Sequence, residues 1–384
     1  MQASKHIVIV AGEESGDVHA AALIKQLKST YAHLEISGIG GKHMQEAGAE
    51  LICDLAHFGV TGFTEVIRHL NVIRKAFTGM KKHLSERKPD LLILVDYPGF
   101  NLRLAKYAKS KLGLKILYYI SPQIWAWKEK RIHTIKKCID NMAVILPFEK
   151  NLYEQAAVPV SFVGHPLVEK IATVGNCASE RHALNLPQDA KIFALLPGSR
   201  NHEIERHVPI LRDTAKLLYQ NYPDLQFVIP IAGTIEPQKV KRYFAQSTLP
   251  IHFIKGQALS CMAAANFVIV ASGTASLECA LLEKPMCIIY KSSLLTYLLA
   301  LKLIKVKFLG LCNLLSNKMI VPEFLQYDCN PYELNKYITN FFNDNEQPHK
   351  MLRHLEKLKD SLSKERSDRT LFNLVESELF EKNA

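Results

Sequence analysis

The sequence predicts an α/β protein of two domains, each a mostly parallel sheet with helices on both faces. Three observations predict it. Short apolar runs of strand type alternate with longer segments of helical period, which is the pattern of βαβ units. At 384 residues the chain is too long for one ordinary α/β core and suits two domains of roughly 150–200 residues. Clusters of Gly, Ser, Asp and Arg recur where strands should end, the edge of a parallel sheet at which ligands bind.

In chain order the expected strands are His6 to Ala11, Leu91 to Asp96, Lys115 to Ile120 and Asn141 to Leu146, then Ile192 to Leu196, Leu225 to Ile231, Phe267 to Ala271 and Met286 to Tyr290. The clusters that follow them are Gly12 to Asp17, Asp96 to Asn101, Pro197 to Arg200 and Ser272 to Thr274. A break at Gly164-His165-Pro166 and the small, polar stretch Thr173 to Ser179 separate the two series. Domains are therefore expected over residues 1–168 and 169–361, with a cleft between two lobes. Leu352, Leu355, Leu358 and Leu362, then Leu371, Leu374 and Leu379, suggest two terminal helices in a charged tail.

Apolar residues at 48% and charged residues at 22% exclude a disordered or collagenous chain. The eight cysteines are scattered without a C-x-x-C pair and read as free thiols of a reducing cytoplasm. The apolar run Ile7 to Ala11 is too short for a signal-peptide core, so no export is expected. The longest apolar stretch, Leu294 to Leu301, is followed by Lys302, Lys305 and Lys307 and falls short of the ~20 uncharged residues of a spanning helix. A net charge of +11 favours an anionic partner: nucleic acid, a phosphorylated substrate or an acidic membrane surface.

Leu196-Pro197-Gly198-Ser199-Arg200 joins a strand to a helix. Glycine lets the backbone approach a ligand and Arg200 offers a forked, permanently charged donor, so the turn reads as a pyrophosphate clamp or as a plain exposed turn. Ala271-Ser272-Gly273-Thr274-Ala275-Ser276-Leu277-Glu278 repeats the architecture. Its helix start can bind phosphate through free N–H groups without a metal, or be N-capped by Ser272 or Thr274. Glu278, one turn in, can hold ribose hydroxyls or merely favour the helix dipole. In the first domain Gly12 to Asp17 is not G-x-G-x-x-G, so a dinucleotide fold is poorly supported. Asp96, at a strand end before Tyr97-Pro98, can serve as a general base or form an Asx-turn.

Trp125-Ala126-Trp127 stands beside Lys128, Lys130 and Arg131. Such a block can stack bases or line a sugar and acyl-chain cleft, and with no RNA-binding signature elsewhere the second reading is preferred. Phe63, Val66, Ile67, Leu70, Ile73, Phe77, Met80 and Leu84 recur at three- and four-residue steps among Arg68, Arg74, Lys75, Lys81 and Lys82. That stripe describes a core-facing amphipathic helix or an interfacial helix lying on acidic lipid.

Taken in order, these residues resemble the lipid-A-disaccharide synthase family. The resemblance is carried by Ala11-Gly12-Glu13 with Ser15-Gly16-Asp17, Asp96-Tyr97-Pro98 with Phe100-Asn101, Ser121-Pro122-Gln123 with Trp125-Ala126-Trp127, and Leu146-Pro147-Phe148-Glu149. Phe162-Val163-Gly164-His165, Leu196 to Arg200, Ser272 to Glu278 and Asn313-Leu314-Leu315 complete it. It implies a GT-B fold of two Rossmann-like domains facing across a cleft, with an N-terminal acceptor domain, a C-terminal UDP-sugar domain and terminal helices, about 362–384, returning to the first domain. It also implies an inverting transfer from UDP-2,3-diacylglucosamine to 2,3-diacylglucosamine 1-phosphate (lipid X), giving a β-1,6-linked disaccharide 1-phosphate and UDP. The place would be the cytoplasmic face of the inner membrane of a Gram-negative bacterium. Rivals are another GT-B enzyme on UDP-sugars, such as a MurG-type transferase or a UDP-N-acetylglucosamine 2-epimerase, and a basic binding module without catalysis.

From the resemblance Asp96 is the expected catalytic base. Arg200, Ser272, Gly273, Thr274, Glu278 and Asn313 are expected to hold UDP, with Glu323 and Gln326 on the diphosphate or donor sugar. Ser15, Gly16, Asp17 and Trp125 are expected on the acceptor side, and Phe63, Val66, Ile67, Leu70 and Ile73 at a membrane. No metal, cofactor or nucleic acid is expected, because Arg200 and the Gly273-Thr274 helix start would take the place of a divalent ion. The resemblance allows a homodimer. Glu14 and Gly99 depart from the family pattern and carry no expected role.

Overall fold

The computed structural model describes residues 5–55, 70–125, 129–293, 307–363 and 367–380. The chain divides into two units, Met1–Pro166 with Leu362–Ala384, and Leu167–Ser361.

In the first unit the strands are β1 (His6–Ala11), β2 (Glu35–Gly40), β3 (Glu50–Asp54), β4 (Leu91–Val95), β5 (Ile116–Tyr119), β6 (Asn141–Val144) and β7 (Val160–Phe162). They pair in the order β3-β2-β1-β4-β5-β6-β7, every pairing parallel. β1 and β4 are buried along their whole length because helices cover both faces, and this is why they read as unbroken apolar runs. Side-chain alternation sends Val8, Val10, Leu92 and Leu94 into a core with Ala76, Met80 and Leu84 of the helix Leu70–Arg87. Ile7, Ile9, Leu91 and Ile93 enter the opposite core with Ala20, Leu23 and Ile24 of the helix Glu14–Thr30.

That second core is completed from the far end of the chain by Leu374, Val375 and Leu379 of the helix Leu371–Phe380. Glu378 fixes its register, pairing with Lys115 at 2.7 Å and accepting from Asn141 Nδ2 at 3.0 Å. Ahead of the helix, Asp368 accepts the Phe162 N–H at 2.9 Å and pairs with Lys150 at 2.6 Å. Leu374 is fully buried, so Leu374→Ala is expected to cost about 2–5 kcal/mol. The check is the first transition in urea; an unshifted midpoint would show that the helix adds nothing to the unit.

The second unit holds β8 (Ile192–Leu196), β9 (Gln226–Ile231), β10 (Ile251–Lys255), β11 (Phe267–Ala271), β12 (Met286–Tyr290) and β13 (Glu323–Leu325), again all parallel, in the order β10-β9-β8-β11-β12-β13. Both sheets thus share the doubly wound order in which the chain reverses direction beside the first strand, at β1/β4 and at β8/β11. Adjacent loops diverge there and leave room for a ligand beyond the strand ends.

The strands that the apolar runs do not announce are β2, β3, β7, β10 and β13. β3, β7, β10 and β13 end their sheets. β3, β10 and β13 are partly exposed, and an edge strand needs no continuous apolar run. β2, EISGIG, is buried but interrupted by glycine. Of the basic apolar stripe, Met80 and Leu84 lie in the core and Ile73 and Phe77 pack against it. Ile73, expected at a membrane, is half-buried and packs part of its apolar surface against this core. Leu70 is 39% exposed, and Phe63, Val66 and Ile67 lie outside the described residues. No described helix is long and apolar enough to cross a membrane.

Candidate active site

Beyond β8 and β11 a cavity of about 340 Å³ is lined by Pro197, Gly198, Ser199, Arg200, Gly273 and Thr274, among others. Gly198 sits at φ 111, and a Cβ there would fall 2.2 Å from Glu203 Oε2. Only glycine admits the buried Glu203, whose carboxylate accepts the Ser199 N–H at 2.8 Å and the Arg200 N–H at 3.1 Å. These bonds close a capping box on the helix Asn201–Asn221. The Ser199 and Arg200 N–H groups are thereby used, and the turn presents the Arg200 guanidinium to an anion. That side chain is 62% exposed and leans on Glu203 Oε1 at 3.2 Å.

The second loop makes the opposite choice. Gly273 is the N-cap of the helix Thr274–Leu281 and no side chain caps it. Ser272 instead donates to the Leu309 carbonyl at 3.3 Å and Ser276 Oγ to the Gly273 carbonyl at 2.7 Å. The capping alternative for Ser272 and Thr274 is thus not taken, and the helix start presents N–H groups and its positive dipole end to the cavity. Glu278, on the same helix, pairs with Lys170 at 2.9 Å, a partner that lies too far off in sequence to be foreseen.

Asn313, Glu323 and Gln326 stand one step behind. The Asn313 amide is fully buried. It donates to the Val321 carbonyl and Glu323 Oε1 at 2.7 and 2.8 Å, and accepts the Ile320 and Val321 N–H groups at 2.8 and 3.0 Å. Its hydrogen-bonding capacity is met by the protein's own groups, which places Asn313, expected to hold UDP, behind the loop. Glu323 likewise accepts the Leu309 and Gly310 N–H groups, both at 2.9 Å, and Gln326 Oε1 accepts the Ser292 N–H at 2.7 Å. Buried polar groups are satisfied within the protein, and these three position the loops around Ser272.

In the first unit the β1/β4 ends carry a second constellation. Asp96 and Tyr97 both have φ 45, an uncommon left-handed conformation for non-glycine residues that persists only when held. The holding groups are visible. Tyr118 Oη and Asn101 Nδ2 donate to the Asp96 carbonyl at 2.6 and 2.8 Å, and the Asp96 N–H donates to the Tyr119 carbonyl at 3.0 Å. The Tyr97 ring packs so closely on Gly12 that a Cβ there would come within 2.2 Å of it. Burial pushes the Asp96 carboxyl up to about 6, against the pull of a Tyr97 N–H bond. Burial and the Asp96 charge push Glu13 up to about 7.

Glu13 was not singled out from the sequence as a site residue; pairing of β1 with β4 (Ala11 opposite Val95) brings it to Asp96. Glu149, also missed, is buried and pushed up to about 8, and accepts from Trp125 Nε1 at 3.0 Å. Trp125 lies edge-on to Phe148, ring centroids 5.2 Å apart, while Ala126, Trp127 and Lys128 fall outside the described residues. Of the other acceptor-side expectations, Ser15 is exposed and Gly16 is buried. Asp17 is 1% exposed and its carboxylate accepts the N–H groups of Gly41, His43 and Met44 at 2.7, 3.0 and 3.1 Å, bracing the helix Lys42–Glu46.

The solved UDP-N-acetylglucosamine 2-epimerase of Neisseria meningitidis, bound to UDP-GlcNAc, has a TM-score of 0.62 at 12% identity, over 98% of this chain and 100% of that one. The calicheamicin glycosyltransferase has 0.63 at 14% identity, over 100% of both. These likenesses show the fold, GT-B. The profile described as Lipid-A-disaccharide synthetase matches residues 7–373. "Lipid-A-disaccharide synthase 1" of Legionella pneumophila strain Lens is 67% identical over 384 residues, all of both chains. "Lipid-A-disaccharide synthase" of Trichlorobacter lovleyi is 42% identical over 371 residues, 97% of each.

Fold, loops and relatives together define a glycosyltransferase. Within that class, the chain belongs to the lipid-A-disaccharide synthetase family.

Proposed function

We propose that the protein transfers 2,3-diacylglucosamine from UDP-2,3-diacylglucosamine to the 6-hydroxyl of lipid X, releasing UDP and the β-1,6-linked disaccharide 1-phosphate. The observation that carries this reading is full-length identity of 67% to a named lipid-A-disaccharide synthase. The uncapped helix start beside Arg200 and the desolvated Asp96 support the division of roles. The acceptor O6 attacks the anomeric carbon as its proton passes to the Asp96 carboxylate. The bond from that carbon to the UDP oxygen breaks on the opposite face, so the configuration inverts. Negative charge growing on the diphosphate is met by Arg200 and the N–H groups at Thr274 and beyond, and Glu278 holds the ribose.

The acceptor is a membrane lipid, so the protein works at the cytoplasmic face of the inner membrane; the charge of +11 favours that anionic surface. The test is to incubate the purified chain with radiolabelled UDP-2,3-diacylglucosamine and lipid X and separate the products by thin-layer chromatography. A labelled disaccharide is expected. Release of UDP with only monosaccharide products would sink the reading in favour of a hydrolase or epimerase.

A pH profile follows from the base assignment. A carboxylate with a pKa of about 6 must be ionised to accept the proton, so kcat/KM should fall tenfold per pH unit below about 6 and level off near pH 7–8. Glu13, pushed up to about 7, couples to it, and the two macroscopic steps belong to the pair. A profile flat from pH 5 to 8 would remove Asp96 from that role.

A further inference from the structure

We propose that His207 is a positioning residue of the nucleotide half-site, an uncharged imidazole strap between the turn after β8 and the segment after β12. The proposal rests on the reading that this half-site takes UDP. His207 lies in the helix Asn201–Asn221 and is fully buried. Its Nε2 accepts the Lys291 N–H at 3.0 Å, which puts the ring proton on Nδ1, and Nδ1–H donates to the Pro197 carbonyl at 2.7 Å. In the order β8-β11-β12, Pro197 and Lys291 stand on either side of the loop that carries Gly273 and Thr274. One side chain therefore spans the loops flanking the phosphate-type helix start. The strap continues through Ser292, whose N–H is held by Gln326, and through the Ser272 N–H on the Ile289 carbonyl at 2.9 Å.

The Lys291 bond needs the neutral ring, whereas the Nδ1–H bond to Pro197 is made in either state. An imidazolium would aim Nε2–H at the Lys291 N–H, donor against donor, and release the segment after β12. Burial holds the ring's pKa below its ordinary value, with Arg206 and His202 acting the same way and the Pro197 carbonyl and Glu203 opposing them. Tyr290 of β12 faces the ring, centroids 6.1 Å apart, and Lys291 follows it. The helix Pro331–Asn343 packs along the same helix, with charged residues Glu333 and Lys336; neither is among the described groups acting on the ring.

The test measures UDP affinity by calorimetry from about pH 4, well to the acid side of the ordinary histidine range, up to pH 8 for wild type, His207→Gln and His207→Leu. At pH 8 the Leu variant, which orphans a buried carbonyl and a buried N–H, should bind about tenfold or more weakly. The Gln variant, able to donate and accept, should recover most of that loss. The wild-type to Gln affinity ratio should then hold near neutrality and fall only on the acid side of the ordinary histidine range, since burial lowers the ring's pKa and UDP's own ionisation is common to both and cancels. Hydrogen exchange on the wild type needs no variant: the Lys291 amide protection factor should drop at the acid end of the series while that of Ile289 in β12 holds. If wild type binds no UDP at any pH, the half-site reading itself fails. If UDP binds but the ratio is flat with pH and Lys291 stays protected, the half-site stands and the strap is refuted.

Discussion

Asp96→Asn is expected to lower kcat by about 10²–10⁴-fold, the contribution of a positioned general base, while UDP affinity measured by calorimetry stays within twofold of wild type. The amide keeps the size and polar shape of the carboxylate, and the Asp96 carbonyl keeps its bonds to Tyr118 and Asn101, so the strained backbone should survive. A second readout separates loss of chemistry from loss of structure. Asp96 and Glu13 are raised above their unfolded values, to about 6 and about 7. The stability linked to their neutral forms is full below the unfolded pKa values and is lost as pH rises through 6 and 7. At pH 8 the ionised Asp96 therefore costs the first unit roughly 1–3 kcal/mol. The inactive Asn variant should melt higher than wild type at pH 8 and alike at pH 4. Normal turnover would eliminate Asp96 as base; a variant destabilised at pH 8 would show that the carboxylate is there for structure.

Arg200→Ala is the complementary case. UDP affinity should weaken about 10–100-fold, the worth of a charge-assisted hydrogen bond to phosphate, and Arg200→Lys should restore only part of it because a point charge lacks the planar fork. Folding should be little changed. The Arg200 side chain is 62% exposed, and the bonds that shape the turn run from backbone N–H groups to Glu203. Unaltered UDP affinity and unaltered kcat in a folded Ala variant would take Arg200 out of the nucleotide site. Unaltered affinity with reduced kcat would move its action to the transition state.

How far each residue could be read from the sequence depends on what it touches. Strands β1, β4, β8 and β11 are legible because central parallel strands are apolar on both faces. Gly198-Ser199-Arg200 and Gly273-Thr274 follow two of them and are legible for the same reason. β3, β10 and β13 are not, since a half-exposed edge carries no apolar run. Glu13 sits in the sequence beside the Ser15-Gly16-Asp17 cluster, yet it is Glu13 that reaches Asp96 and Asp17 that turns inward to Gly41, His43 and Met44. Residues so close along the chain point to different sides of a helix start, and no spacing rule tells which becomes the ligand side. Asn313 shows the converse. A motif residue can be required because it satisfies buried backbone groups, and side-chain identity alone does not distinguish that from contact with a ligand.

By itself, then, the sequence determined the local matters: two series of parallel strands, a glycine-bearing turn after β8 and another after β11, an aspartate at the end of β4, and membership of a family. Those follow from backbone periodicity and from residue types whose conformational or charge properties act at their own position. The tertiary structure alone decided which groups meet. Strand order brought Glu13 beside Asp96 and placed the Gly273 loop between Pro197 and Lys291. Burial raised the Asp96 and Glu13 pKa values and lowered that of His207. Solvation and pairing depend on neighbours far apart in the chain, and those neighbours exist only once the sheets have formed.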